Sequence, residues 1–391
     1  MAELSTFEMP RVRRVVQGAG SRGRLAAELE AAGHERVILL TGRTLGASPA
    51  LEEIREALGP RLVDVFTGVE AHNPVERVVE VIGRARESGA QAIVALGGGS
   101  PVDAAKLAAL GVVEGVETTA DLATFALQFE YPSTVRARPL ARDPLPVYAI
   151  PTTLSAAEWD GFAGSVDHAR DTKDLTAYVE MTPEVVFLDP ELAASTPRDL
   201  WAQTGVRALD HAVETAYANN AHPFTTWLAA GALDLLAANL PRSVADPDDH
   251  EAALNCQIAG WMSISGVHNV SLGLSHAIGH QLGALGIPHG VTSCIMLPHV
   301  MRFLESVTSE QQAAMATVLA GAQGSAEVGS AADHVEVLLD ELGVPRRVSD
   351  FGIPREKMDV VATATLGDMV VREAPREVDE KVVYELLEKG W

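Results

Sequence analysis

Four uninterrupted apolar runs constrain this 391-residue chain most: Val37–Leu40, Ala92–Leu96, Val147–Ile150 and Val185–Leu188. An alternating strand has one wet face. A run apolar at every position must be buried on both faces, as in a parallel sheet covered by helices. Helical spacing separates the runs. One helix is predicted across Gly23–Ala32, before a turn at Gly33-His34, and another across Pro101–Leu110. The last two runs end at Pro151 and at Asp189-Pro190. After about Leu192 the pattern changes. Leu200–Ala218, Thr225–Asn239, Asp249–Gly279 and Ala313–Leu342 show helical periodicity without strand alternation. The expectation is an α/β domain over 1–190 and a helical domain over 191–391, with the boundary near Asp189–Pro197. No repeat or low-complexity segment interrupts either half. The stretch Tyr131–Pro146, with four prolines and Arg136, Arg138 and Arg142, reads as a surface loop with solvated basic side chains.

Thirty Lys and Arg stand against 53 Asp and Glu, a net charge of −23. That balance argues against nucleic acid and anionic membranes as partners, though not against an anionic substrate beside a local arginine. Apolar residues make up 47% of the chain, enough for sizeable cores. Two cysteines, Cys256 and Cys294, cannot form a disulfide framework, which points to a reducing compartment. Residues 1–14 lack the apolar core of a signal peptide, and the most apolar stretch, Trp227–Leu240, is broken by Asp234. A cytoplasmic protein without a membrane span is expected.

Gly97-Gly98-Gly99-Ser100-Pro101 follows one predicted strand and opens a helix. Glycines admit a phosphate close to the backbone, and the free N–H groups of a helix start hold its charge. A packing turn that uses glycine for its dihedral freedom explains the same residues, since the spacing matches neither standard nucleotide-binding fingerprint. Thr152, Thr153 and Ser155 lie at the carboxyl edge of the same sheet, where ligands of α/β sheets gather. They could bond a carboxamide or phosphate, or simply cap the next turn.

The second half concentrates histidines. His276 and His280 stand at i and i+4, one face of a helix, and His289 follows at a turn. Upstream, Arg207, His211 and Glu214 share a helical stripe. Such a set can bind a divalent metal or position a proton donor.

Taken in order, Gly97–Lys106, Pro151–Thr153 with Glu158, Asp189-Pro190, Ala208–Glu214, and the series from Ser275-His276 through His280 and Pro288-His289-Gly290 to Pro298-His299 resemble the iron-containing alcohol dehydrogenases. Thr6-Phe7-Glu8 and the glycines near Gly18 resemble the maleylacetate reductase branch. The resemblance spans nearly the whole chain. It implies a dehydroquinate synthase-like fold: a Rossmann-like parallel-sheet domain, a helical domain, and an active-site cleft between them. It also implies NADPH or NADH as cofactor, a small-molecule substrate and a homodimer. Gly97, Gly98, Gly99 and Ser100 would meet the pyrophosphate. Thr152, Thr153 and Ser155 would line the nicotinamide end, with Asn73, Asp103 and Lys173 near the nucleotide and its ribose. The family's metal is held by one aspartate and three histidines. The histidine positions are His211, His276 and His289, with His280 as the nearby catalytic histidine.

Three departures matter. The aspartate position, four residues before His211, holds Arg207, and a guanidinium repels a metal rather than binding one. Asp210 is no evident substitute, because adjacent helical residues point about 100° apart. The expected enzyme therefore works without a catalytic metal, using His280, Arg207, His211 and His276. The alternatives are an Fe- or Zn-dependent alcohol dehydrogenase built on the three histidines, and a catalytically silent nucleotide-binding protein. The segment from His276 to His289 is one residue short, and the turn before Glu158 is shortened. Finally, Gly42 stands where members preferring NAD often carry an aspartate, and Arg43 beside it could meet the extra phosphate of NADP.

Overall fold

The computed structural model describes residues 6–130 and 134–391. The chain divides into two units. One spans Pro10–Ser195; the other spans Thr196–Trp391 together with the described residues up to Met9.

Among the described residues, the first unit holds ten strands: β1 (Arg14–Gln17), β2 (Val37–Gly42), β3 (Leu62–Val69), β4 (Ala92–Gly97), β5 (Gln128–Glu130), β6 (Thr134–Arg136), β7 (Val147–Pro151), β8 (Phe162–Asp167), β9 (Thr172–Ala177) and β10 (Val185–Leu188). Its helices are α1 (Leu25–Ala31), α2 (Arg43–Gly46), α3 (Pro49–Leu58), α4 (Val75–Glu87), α5 (Gly99–Glu114), α6 (Thr119–Ala123) and α7 (Pro190–Ala193). Six strands form one parallel sheet in the order β1-β10-β7-β4-β2-β3. The four apolar runs are four of these strands, and each is buried throughout. Edge strand β1 escaped the sequence pattern because Arg14 and Gln17 are exposed. The chain reverses direction across the sheet between β2 and β4. From β2 it steps outward to β3, then returns to the other side as β4. Ligands of such sheets bind at that reversal, beyond the carboxyl ends of the strands. Here those ends are Gly42 and Gly97.

The second unit is helical: α8 (Arg198–Tyr217), α9 (Pro223–Ala245), α10 (His250–Ile264), α11 (Leu274–Ala284), α12 (His289–Leu304), α13 (Ser309–Ala322), α14 (Ala331–Leu342), α15 (Lys357–Leu366) and α16 (Glu380–Lys389). Helix α8 is buried at every position from Thr204 to Tyr217. A helix surrounded on all sides should be apolar all round. This one carries Arg207, Asp210, His211 and Glu214 inside, so each polar group needs an internal partner.

Five expectations change. The runs Asp249–Gly279 and Ala313–Leu342 are each two helices, because residues 265–273 and 323–330 leave helical form. In the first of these breaks Asn269 hydrogen-bonds the backbone of Glu8 in both directions, at 2.6 and 2.7 Å. The helix expected to start at Pro101 starts at Gly99, which puts the proline third; its missing N–H still falls in the first turn, where it needs no partner. His289 does not sit in a turn but begins α12, after Pro288 at its N-cap. Within Tyr131–Pro146, residues 131–133 lie outside the described residues. Thr134–Arg136 pairs with β5 rather than looping, and Arg138 lies over the Phe125 ring at 4.4 Å. Among the described residues, no helix is long and apolar enough to cross a membrane.

Candidate active site

In the α/β unit, the ends of β4 and β7 meet. Gly97 has φ of 136°, a conformation side chains avoid. A Cβ on Gly98 would lie 3.1 Å from Thr153 Oγ1, and one on Gly99 3.2 Å from Ser155 Oγ. Only glycine lets these turns approach so closely. Thr152 N donates to Gly97 O at 3.0 Å, and the hydroxyls of Thr153 and Ser155 are 2.9 Å apart. The structure thus brings Gly97, Gly98, Gly99, Thr152, Thr153 and Ser155 together, with half-buried Ser100 in the first turn of α5.

Asp103 and Asn73 grip a third element. Gly164 N donates to Asp103 Oδ2 at 3.1 Å, and Asn73 Nδ2 donates to Gly164 O at 3.2 Å. Gly164 belongs to β8, whose antiparallel partner β9 carries Lys173. The Asn73 amide thus helps to hold this hairpin. Beneath the turn, fully buried Lys106 donates to Asp160 Oδ1 at 2.9 Å and to Phe162 O at 2.7 Å. Burial pushes the Asp103 carboxyl up to about 6 and the Glu158 carboxyl up to about 7, against the opposing charge of Lys106. At the other strand end, Arg43 is 79% exposed, with Glu70 at 3.8 Å. Such an exposed pair is weak, so a ligand phosphate can compete for Arg43.

In the helical unit, four imidazoles form a continuous series. His211 and His276 are stacked with centroids 5.0 Å apart. His276 meets His280 edge-on at 6.4 Å, and His280 meets His289 edge-on at 6.1 Å. Close helix approach makes this possible: a Cβ on Gly279 would lie 2.7 Å from Thr292 Oγ1, and one on Gly283 2.8 Å from His289 Cε1. Glu214 accepts from Gly273 N, Ser275 N and His276 N at 2.8, 2.7 and 3.2 Å, and from His276 Nδ1 at 2.6 Å. Arg207 Nη1 donates to Ser293 Oγ at 3.1 Å; that hydroxyl donates to Asp210 Oδ2 at 2.6 Å, and Ser275 Oγ donates to the same oxygen at 2.9 Å.

Burial raises the Asp210 and Glu214 carboxyls above the ordinary range; Glu214 is raised further by Asp210, while Arg207 opposes the rise at Asp210. Burial drives His211 and His276 well below the ordinary imidazole value, and the charge of Arg207 adds to the effect at both. Asp210, set aside on angular grounds, proves to be part of this network. Its direction along α8 mattered less than the serines that α11 and α12 bring to it. Asp210, Glu214 and His276 place ligand-type atoms within 4.8 Å of one another. Four donors already engage Glu214 and two serines engage Asp210 Oδ2, while Asp210 Oδ1 and His276 Nε2 are buried without a hydrogen-bond partner. Among the described residues, His211, His276 and His289 do not bring their ring nitrogens together as a group of this kind. Asp368 was missed altogether. It accepts from His280 Nδ1 at 2.8 Å, and no local motif marks a partner 88 residues away.

The comparisons give the chain its relatives. Residues 12–190 match the model described as iron-containing alcohol dehydrogenase, and residues 201–391 match the C-terminal model of the Fe-containing alcohol dehydrogenase family. The chain belongs to the iron-containing alcohol dehydrogenase family. It is similar to the lactaldehyde reductase of Escherichia coli K12, 31% identical over 96% of this chain and 97% of the relative. It is also similar to the maleylacetate reductase of Burkholderia cepacia, 28% identical over 97% and 96%. Among solved structures, a 1,3-propanediol oxidoreductase superposes with a TM-score of 0.88 at 25% identity, covering 99% of this chain and all of the other. The chain is therefore an NAD(P)-dependent oxidoreductase of this family.

Glu158 gives a pH test. Its folded value of about 7 lies above the ordinary 4.5, so between these pH values the folded state holds a proton that the unfolded state has lost. Stability must fall as pH rises through that window. Glu158→Gln imitates the protonated form. Its urea midpoint should gain on wild type at pH 8 relative to pH 5 by the equivalent of roughly 1–3 kcal/mol. An equal effect at both pH values would contradict the buried-carboxyl account.

Proposed function

We propose that this enzyme reduces a carbonyl, or an alkene conjugated to one, in a small substrate with or without a carboxylate, using NADPH or NADH and no catalytic metal. The observation that carries the reading is Arg207, 9% exposed, in the place of a metal-binding aspartate and hydrogen-bonded to Ser293. A dication beside a buried guanidinium would meet repulsion in a medium that screens poorly. The same guanidinium can meet the need for positive charge near a developing oxyanion, or hold a substrate carboxylate. In this reading Gly97–Ser100 binds the pyrophosphate, and Thr152, Thr153 and Ser155 face the nicotinamide end. The unit over 10–195 carries the dinucleotide, and the helical unit carries the proton chemistry.

A bound nicotinamide would supply hydride to the carbonyl carbon, or to the far alkene carbon conjugated to it, with the π electrons moving onto oxygen. A proton from His280 then converts that oxygen to hydroxyl, leaving a neutral imidazole. Imidazole is a common proton donor in enzymes that work near neutrality. Free, buried Cys256 and Cys294 fit a reducing compartment. The homodimer is carried over from the resemblance alone.

A second reading keeps Fe or Zn on His211, His276 and His289, and one experiment separates the two. NAD(P)H oxidation is followed by absorbance against maleylacetate, lactaldehyde and a panel of aldehydes and keto acids, before and after EDTA and after added Fe or Zn. Turnover insensitive to chelator and unaided by metal is the expected result; inactivation by EDTA with recovery on adding metal supports the second reading. No turnover with any compound supports the silent-protein alternative.

Cofactor choice has its own test. A Cβ on Gly42 would lie 3.6 Å from Val69 O, an ordinary contact, so an aspartate fits there. Gly42→Asp should raise the KM for NADPH at least tenfold more than that for NADH, because the new carboxylate repels the extra phosphate. Equal changes would show that Gly42 and Arg43 do not read that phosphate.

A further inference from the structure

Among the described residues of the helical unit, His276 and His280 each pair with a carboxylate in different surroundings, and His276 also has Asp210 at 3.5 Å. His276 Nδ1 and Glu214 Oε2 lie 2.6 Å apart, and both side chains are wholly buried. His280 Nδ1 and Asp368 Oδ2 lie 2.8 Å apart, with His280 33% exposed and Asp368 11%. Only the second pair combines a held ring with access for a reacting molecule.

Asp368 is itself held from two sides. It caps the short 3-10 turn Met369–Glu373, with Oδ1 accepting from Val370 N at 3.1 Å. Its other oxygen, Oδ2, accepts from His280 Nδ1 and, at 3.4 Å, from Gln281 Nε2. Burial works to raise this carboxyl, yet the His280 hydrogen bond and charge and the Val370 N–H hold it below the ordinary range. An ionised carboxylate only accepts hydrogen bonds, so His280 Nδ1 must be the donor. That assignment leaves Nε2 as the nitrogen that exchanges a proton. The ring's remaining freedom is limited by edge-on neighbours, His276 on one side and His289 on the other.

We propose that Asp368 is a positioning residue for the reduction: it fixes the tautomer and orientation of His280, so that Nε2 delivers the proton while Nδ1 keeps its own. The proposal rests on the reading of His280 as the proton donor. When the substrate oxygen takes the Nε2 proton, the N–H bonding pair returns to the ring. Asp368 stays ionised throughout, and no proton is transferred to it. The carboxylate also steadies the imidazolium that must exist before transfer.

The test compares full-length Asp368→Asn, Asp368→Glu, His280→Gln and the double variant His280→Gln/Asp368→Asn. The carbonyl probe is lactaldehyde, or maleylacetate if wild type reduces only that. Asparagine keeps the cap on Val370 N but removes the charge, and its amide group can turn toward Nδ1 and force the wrong tautomer. The expected result is a kcat lower by roughly 100-fold in Asp368→Asn, with the KM for the nicotinamide cofactor within threefold of wild type. Asp368→Glu, which restores the carboxylate, should recover at least a tenth of the wild-type kcat. In the His280→Gln background, Asp368→Asn should change kcat less than twofold, because the group it positions has gone.

An Asp368→Asn enzyme retaining half or more of wild-type kcat, while His280→Gln loses 100-fold, would overturn the role of Asp368 and leave the donor reading intact. Additive losses in the double variant would overturn it as well. Full activity in His280→Gln would overturn the donor reading, and this proposal with it. If Asp368→Asn does not fold, Asp368→Glu decides: recovery supports positioning, and a folded but inactive enzyme contradicts it.

Discussion

A buried positive charge organises the helical unit. Arg207 projects from a helix enclosed on all sides, so its charge has to be answered by protein. Ser293 links it to Asp210, which lies 3.9 Å from the guanidinium and also accepts from Ser275, and Glu214 is held by three backbone N–H groups and one imidazole. Removing one partner from such an arrangement typically costs about 3–5 kcal/mol, because the other is left charged and dry. The network also explains why α11 and α12 are rich in small and hydroxylated residues. Gly279 and Gly283 permit the approach, while Ser275 and Ser293 supply the donors.

The α/β unit solves a different problem with similar means. Its sheet reverses direction between β2 and β4, and this puts two strand ends that close in glycine side by side. Without side chains at Gly98 and Gly99, the threonine and serine of the next turn pack directly on the backbone. Lys106 lies beneath, neutralised by Asp160 and the Phe162 carbonyl, and it anchors the hairpin that bears Lys173. The result places backbone N–H groups and hydroxyls at this strand edge of a chain whose overall charge is −23. Net charge describes the surface that repels polyanions, whereas a few enclosed groups decide what one anionic cofactor meets.

How much of this was legible in the sequence follows from how local each feature is. The buried strands were legible because an apolar run has one physical use in a parallel sheet. His276 and His280 were legible because four residues make about one helical turn. β1 was not, since an edge strand tolerates Arg14 and Gln17. The interruption after Ile264 was hidden too, because Asn269 leaves the helical pattern to serve the backbone of Glu8, 261 residues away. Asp210 and Asp368 were invisible for the same reason. Their roles come from partners on other helices, and no spacing along the chain encodes them. Arg207 was legible only as an anomaly against a family pattern, and its burial shows that the anomaly lies inside the protein.

In the proposed enzyme an internal guanidinium, Arg207, stands in for a bound metal. The most direct measurement is the metal content of native enzyme and of Arg207→Asp, each purified without chelator and then offered Zn under identical conditions. The account predicts well under one metal per chain in the native enzyme and close to one, tightly held, in Arg207→Asp, where a carboxylate joins His211, His276 and His289. One tightly bound Fe or Zn per native chain would contradict it.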